Sequence, residues 1–471
     1  MQLSKPLAGQ VARTLGALAT SLFAAAAAHA QDDANSSPQY VDHSYSDSGD
    51  SDVGLSRMDT AVLVYQEAGG RVRAIEPETT VTLHASDDEI LTLGLVSDTL
   101  TGASPNGATP SDKAQTFVTP LKVHGSTTTL TSASGGSTVI QLPPTPGQIA
   151  AAAYGRQYIT APGKLPVDAG FHDQRFAGNL GWSQSIDPDT KAGIGAGYSI
   201  ERDYRAITGD GSLSRDFNAH NTTASLSVNY EFDTSSPFGG TPTPLTVMSA
   251  QMKGPSRNRQ VVDVVAGLTQ VMTRNWLVQL NYSYGLSNGY QNDPYRILSV
   301  VDAVTGEPTS YLYESRPNSR RRQSVYLDNK VDIGPNVFDV SARYFFDSWG
   351  IHSETVDASD RISLTHAIYL EPHVRWYRQT AASFFQYYLI AGQPLPQYAS
   401  SDSRLGKFTG LTGGLTLGLK VTRSGEVYLR GEYYAQTGVD HPPNAIGQLA
   451  SQDLFSGVKA TSLMLGYSFG F

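Results

Sequence analysis

The stretch Tyr369–Tyr377 (YLEPHVRWY) places Glu371, His373 and Arg375 at every second position. In an extended backbone alternate residues share a face. Glu371, His373, Arg375 and Tyr377 therefore point one way, and Leu370, Pro372, Val374 and Trp376 the other. Two more stretches repeat the pattern with Asp339, Arg343 and Asp347, and with Arg430, Glu432 and Tyr434. Asp328, Lys330, Asp332, Asp357 and Arg361 lie between them. Three kinds of chemistry suit such a set. Glu371 and His373 could exchange a proton as an acid–base pair. His373, Glu371 and another carboxylate could ligate a metal. A ring of opposed charges could select solutes at a constriction. The sequence has no G-x-S-x-G nucleophile motif, and i, i+2 neighbours are ordinary on any strand. No catalytic residue, metal site or cofactor is therefore expected. The charged face reads as a ladder of ion pairs lining a polar interior, with Glu371, His373, Arg375, Asp339, Arg343, Arg430 and Glu432 as its lumen-lining candidates.

These side chains need strands to hold them, and the strands are legible. In 225–233, Leu226, Val228, Tyr230 and Phe232 oppose Ser225, Ser227, Asn229, Glu231 and Asp233. In 411–421, Leu411, Leu415, Leu417, Leu419 and Val421 oppose Thr412, Gly414, Thr416, Gly418 and Lys420. Each run is about 10 residues, the length of a tilted strand across a bilayer. The last residues show the same two faces: Leu463, Leu465, Tyr467, Phe469 and Phe471 alternate with small or polar residues. This stretch resembles the closing strand of bacterial outer-membrane β-barrels, whose terminal aromatic is read by the barrel-insertion machinery. Tyr467, Phe469 and Phe471 are the expected assembly signal.

Composition agrees. The chain has 471 residues, 45 Gly, 25 Tyr and 39% hydrophobic residues. It shows no sustained helical periodicity. It has no cysteine, which removes thiol catalysis, thiolate metal sites and haem covalently attached to this chain. Acidic residues number 43 against 34 basic, a net charge of −9, so nucleic acid is not an expected partner. Residues 1–30 read as a Sec-type signal: Lys5 and Arg13, an apolar Leu15–Ala28, and a small-x-small site cleaved near Ala30. Residues 31–56 read as a flexible periplasmic tail.

Beyond residue 57, tight turns such as 187–189, 273–275 and 423–425 alternate with long loops near 98–170, 288–320, 379–406 and 438–457. Short turns on one side and long loops on the other predict a transmembrane antiparallel β-barrel in a bacterial outer membrane. About sixteen strands are expected, with fourteen to eighteen compatible. They include one continuous strand at 191–205 and one at 245–253. The aromatic clusters Phe384–Tyr388 and Tyr311–Tyr313 either plug the mouth or extend the outer girdle. Arg320, Arg321 and Arg322, beside a long loop, suit a solvated surface or a contact with lipopolysaccharide phosphate better than nucleic acid.

Several stretches together carry a resemblance: Leu100–Lys113, Tyr311–Arg321, Phe345–Glu354, Tyr369–Thr380 and Leu389–Leu405. The chain resembles domain-of-unknown-function family 3570 over roughly 57–471. The resemblance implies a Gram-negative outer-membrane barrel without an assigned activity, and it carries over no catalytic residue. It also implies a setting beside a flavin transferase and thioredoxin-like proteins. The expected function is a passive channel or transport barrel for small hydrophilic solutes. The alternative is a plugged or partner-filled structural barrel, in one version part of an electron-transfer assembly with a periplasmic partner protein. Outer-membrane lipid, lipopolysaccharide and the insertion machinery complete the expected partners.

Overall fold

The structure, a computed structural model, describes residues 56–124, 129–132, 155–248 and 254–471. The expected signal, and the tail up to residue 55, lie outside the described residues. The strands in chain order begin with β1 (Arg57–Glu67), β2 (Arg73–His84), β3 (Glu89–Pro105), β4 (Gln115–His124), β5 (Thr129–Ser132) and β6 (Gly155–Thr160). Then come β7 (Val167–Asp187), β8 (Thr190–Ile200), β9 (Tyr204–Phe217), β10 (Thr222–Ser235), β11 (Arg257–Thr273) and β12 (Trp276–Gly289). Next are β13 (Ile297–Val301), β14 (Pro308–Tyr313), β15 (Ser319–Ile333), β16 (Asn336–Asp347) and β17 (His352–Ser363). The last are β18 (Ile368–Gln379), β19 (Leu389–Ile390), β20 (Phe408–Lys420), β21 (Gly425–Gly438) and β22 (Lys459–Gly470).

Sixteen of these close into one antiparallel barrel: β1–β3, β7–β12, β15–β18 and β20–β22. The seam joins β22 to β1, from Arg57 opposite Gly470 to Glu67 opposite Ala460. Closure leaves no strand edge unpaired, as a bilayer interior demands. The remaining six strands form two small sheets in the loops, β5-β4-β6 and β14-β13-β19.

Alternation decides which face is outside. Val374 is 54% exposed while its neighbour His373 is 6% exposed. The same contrast repeats around the ring, with Leu180, Ile194, Leu226, Leu280, Val340, Leu417 and Leu465 all exposed on the outer face. In water such a belt would be a liability; in hydrocarbon it is the solvated surface. Exposed aromatic side chains fringe it at both ends, among them Tyr230, Tyr284 and Tyr344 towards the long loops and Trp182, Trp276 and Phe471 towards the short turns.

The short turns share the end where both described termini lie, the periplasmic end of such barrels. In the turn from β9 to β10, Asn218, Ala219 and His220 all take positive φ, at 53°, 52° and 62°. Asn221 closes that turn by donating its backbone N–H to Asn218 O.

Two sequence expectations fail in compensating ways. The strand expected across 191–205 is two strands, β8 and β9, separated by Glu201, Arg202 and Asp203. β9 is hidden in the sequence because glycines 209 and 211 occupy two of its outward positions and blank the apolar signal. The strand expected at 245–253 is not in the barrel. Leu245, Val247 and Met248 lie in a loop, where Val247 bridges Leu312 and Leu245 and Met248 pack against other loops; residues 249–253 lie outside the described residues. The apolar residues there serve a loop core instead of a lipid face.

Candidate functional site: a capped and charged lumen

Loop residues at the outer end build a cap with its own core. Ala108, Phe117, Ile297 and Tyr313 form one cluster; Trp349, Ile351, Ala382, Phe384 and Leu405 form a second. Leu298, Leu312, Leu389 and Ala399 form a third, and Val301, Leu449 and Leu454 a fourth. Each fully buried large side chain of this kind contributes about 1.5–3 kcal/mol. Of the two aromatic clusters noted in the sequence, Phe384 and Tyr313 thus enter the cap core, and Phe385, Tyr387, Tyr388 and Tyr311 pack against it.

The cap spans the mouth. Ile297 donates its backbone N–H to Asn106 O at 2.9 Å, and Thr109 donates to Ser299 Oγ at 2.9 Å. Arg296 Nη1 donates to Pro105 O at 2.7 Å. These bonds tie the β3–β7 connection to the β12–β15 connection, and in ring order four strands separate β7 from β12. Loop residues 448 and 452 reach the same place: Gln448 Nε2 donates to Glu307 Oε2 at 2.7 Å and Gln452 Nε2 to Asp112 Oδ1 at 2.8 Å.

At the centre of the cap is a buried ion network. Arg316 Nη2 donates to Asp402 Oδ2 at 3.0 Å, and Arg404 Nη2 to the same oxygen at 2.6 Å. Arg316 Nε lies 2.7 Å from Glu314 Oε1 without the alignment of a hydrogen bond. Arg296 and Asp293 border the group, with Arg296 Nη2 3.6 Å from Asp402. Glu314 accepts from Ser400 Oγ at 2.6 Å. Burial alone would raise the Asp402 carboxyl, but Arg296, Arg404 and Arg316 outweigh it and hold the group below the usual carboxylate range. Burial pushes Glu314 well up, with Asp293 and Asp402 adding to the effect. Burial lowers Arg316 to about 9, against the pull of Asp402.

Below the cap, the inward faces of β11, β12, β15–β18 and β20–β22 carry a ladder of pairs. Lys330 meets Asp339 at 2.8 Å, Arg322 meets Asp263 at 3.2 Å and Arg361 meets Glu426 at 3.3 Å. His373 lies between two carboxylates, with Nδ1 3.0 Å from Glu432 Oε1 and Nε2 3.1 Å from Asp357. Both ring nitrogens are engaged, so the imidazole is a tie between strands and has no lone pair turned to a substrate. Arg430 Nε donates to Thr416 Oγ1 at 3.2 Å. Glu371, Arg375 and Arg343 sit on the same inward faces, Arg343 over the ring of Phe345. The structure thus joins His373 to Glu432 and Asp339 to Lys330. The partner Asp357 comes from an adjacent strand.

The other half of the wall differs. Inward positions of β2, β3, β7, β9 and β10 hold Glu76, Glu78, Asp98, Asp173, Asp210 and Glu231, and the cations there are few, Arg175 pairing with Asp98 at 2.6 Å. Strand phase reveals this imbalance from sequence, once β9 is placed. Asp173, Glu201 and Asp203 bring carboxylate oxygens within 4.8 Å of one another near the rim.

The expected assembly signal lies on the outer face of β22 and just beyond it. The rings of Tyr467 and Phe469 stack at 6.3 Å and those of Phe469 and Phe471 at 6.2 Å. Of the three consecutive arginines, two turn inward: Arg320 pairs with Asp347 at 2.7 Å and Arg322 with Asp263. Only Arg321 faces out.

A closed ring with an apolar belt outside, a charged wall inside and loops knitted over one end defines an outer-membrane β-barrel. The chain belongs to the family described as "Protein of unknown function (DUF3570)", which matches residues 18–469. No curated protein matches the sequence. Among solved structures it is similar to a ferric enterobactin receptor of Pseudomonas aeruginosa, with 9% identity and a TM-score of 0.40 over 88% of this chain and 59% of that one. It is also similar to a bacterial polysaccharide outer membrane secretin, with 8% identity and a TM-score of 0.41 over 89% and 99%. A siderophore receptor of Acinetobacter baumannii gives 7% and 0.38 over 82% and 54%. The chain therefore spans 59% and 54% of the lengths of these two receptors.

Proposed function

We propose that this protein is a gated transport barrel for small hydrophilic solutes, with a preference for cations, closed at its outer mouth in the state described here. The observation that carries the reading is the cap, because hydrogen bonds from hairpins four strands apart cross the mouth. A ring of sixteen strands is wide enough for an aqueous lumen. The acidic half of the wall supports the cation preference, since like-signed walls of low dielectric concentrate the opposite ion.

Conductance of the purified protein in a planar bilayer tests this. The intact protein should be silent or open rarely. Removing 381–406 should give salt-dependent ohmic steps, with a reversal potential showing cation preference. Steady large conductance in the intact protein would defeat the gate. Silence after the deletion, in a barrel still folded, would defeat transport and leave the partner-filled barrel.

A further inference from the structure

The outer rim carries a second feature, independent of whether the lumen conducts. Arg321 at the start of β15, His352 at the start of β17, Arg378 near the end of β18 and Lys407 just before β20 are all exposed. Each is in phase with an exposed apolar residue on or beside its own strand: Val325, Val356, Val374 and Leu411. They therefore face the surrounding membrane and not the lumen. β15, β16, β17, β18 and β20 are consecutive in the ring, so the four side chains occupy a front of about 19 Å at ~4.8 Å per strand.

Arg321, Arg378 and Lys407 have no carboxylate within 4.0 Å among the described residues. One acid shares the front: Glu354, opposite Arg378 in the register. Tyr344, Phe346 and Trp376 lie just below on the same faces, and the Tyr344 hydroxyl lies 3.1 Å from His352 Nδ1. Aromatic side chains at that height mark the headgroup level of the membrane. The short-turn end shows no such bias: Glu89 on β3 and Asp360 on β17 face out there, as does Arg215 on β9. The whole chain is acidic, at −9, so one cationic front is not a consequence of composition.

We propose that the rim from β15 to β20 docks the phosphorylated headgroup of an outer-leaflet glycolipid. Phosphate accepts paired N–H groups from guanidinium and a point charge from ammonium. The acyl chains of the same molecule lie along the apolar belt directly beneath. A free phosphate ion would gain only the first of these contacts.

The test uses full-length barrel folded in detergent and titrated with bisphosphorylated lipid A, with bound lipid counted by native mass spectrometry. A variant carrying Arg321→Gln, Arg378→Gln and Lys407→Gln should bind at least about tenfold more weakly. A control carrying Arg73→Gln, Arg205→Gln and Lys459→Gln, three exposed cations elsewhere on that rim, should bind like the unaltered protein. Dephosphorylated lipid A should bind weakly, and inorganic phosphate should not compete. Equal loss in the control, or no loss in the first variant, would overturn the proposal. Competition by inorganic phosphate at similar concentration would also overturn it, as an ion site. Should the triple variant fail to fold, the comparison of phosphorylated with dephosphorylated lipid A on the unaltered protein decides, and Arg378→Gln alone locates the site.

Discussion

A Cβ placed on Gly418 would stand 1.9 Å from Tyr369 Cε1, and one on Gly466 would stand 2.1 Å from Tyr428 Cζ. Each tyrosine ring lies over a glycine of the adjacent strand, inside the barrel near its periplasmic end. Tyr369 also donates to Glu426 at 2.6 Å, and Arg361 lies 3.6 Å above its ring. Gly418→Val should therefore destabilise the barrel by roughly 1–3 kcal/mol, read as a lower urea midpoint for the refolded protein. Gly413→Val, whose Cβ meets nothing within 4 Å, is the matched control and should change little. The phase of β18 has its own check. With no native cysteine, Arg375→Cys should react with a small hydrophilic thiol reagent once the cap is removed, and Val374→Cys should not. The reverse pattern would put the strand one residue out of phase. Period-two alternation made the face of Glu371, His373 and Arg375 legible in the sequence. It could not supply register, so the partners of His373, 16 and 59 residues away, were not legible.

Among the elements, the loops were the least readable. Their apolar residues have no period, because they pack in a cap and not on a pleated surface. Thr109 and Ser299 meet across 190 residues of sequence. β9 was lost for the opposite reason, glycine where a lipid face should be. The Arg316–Asp402 pair should hold the β12–β15 and β18–β20 loops together. Arg316→Ala takes one of three arginines from around Asp402 and the cation beside Glu314, and should loosen the cap by about 3–5 kcal/mol. The check is faster proteolysis within 381–406 in a barrel that still migrates as folded. The pH dependence has a sign. Asp402 is depressed, so its stabilisation is present above about pH 4 and is lost as pH falls through its folded value. Glu314 is raised, so its neutral form binds a proton that the opened loops release. That stabilisation is complete below about pH 4.3 and declines as pH rises towards the folded value. The cap should be tightest in mild acid, and Glu314→Gln should flatten the alkaline limb of the opening rate. A limb of unchanged slope in that variant would remove Glu314 from the account.

For the whole molecule, closure between β22 and β1 is the defining bond, and it involves the last residues of the chain. Phe471 donates its backbone N–H to Ser56 O at 2.8 Å and is 54% exposed on the lipid side. Phe471→Asp places a charge there and should reduce assembled barrel in membranes, measured as the fraction that resists unfolding in cold detergent. Normal assembly of that variant would show that the ring stack from Tyr467 to Phe471 is dispensable.

The cap also carries a history. Its pieces, near 106–112, 293–316, 382–405 and 445–455, come from all along the chain. No two of them can be brought close for long until the staves between them are in place, because closing such distant loops costs entropy that only the finished ring repays. The cap is therefore the last part of the protein to fold. Folding should therefore pass through a stage in which the wall is complete and the top is bare. The same stage is the first reached on gentle denaturation, which makes it the natural moment to ask what enters an uncovered lumen.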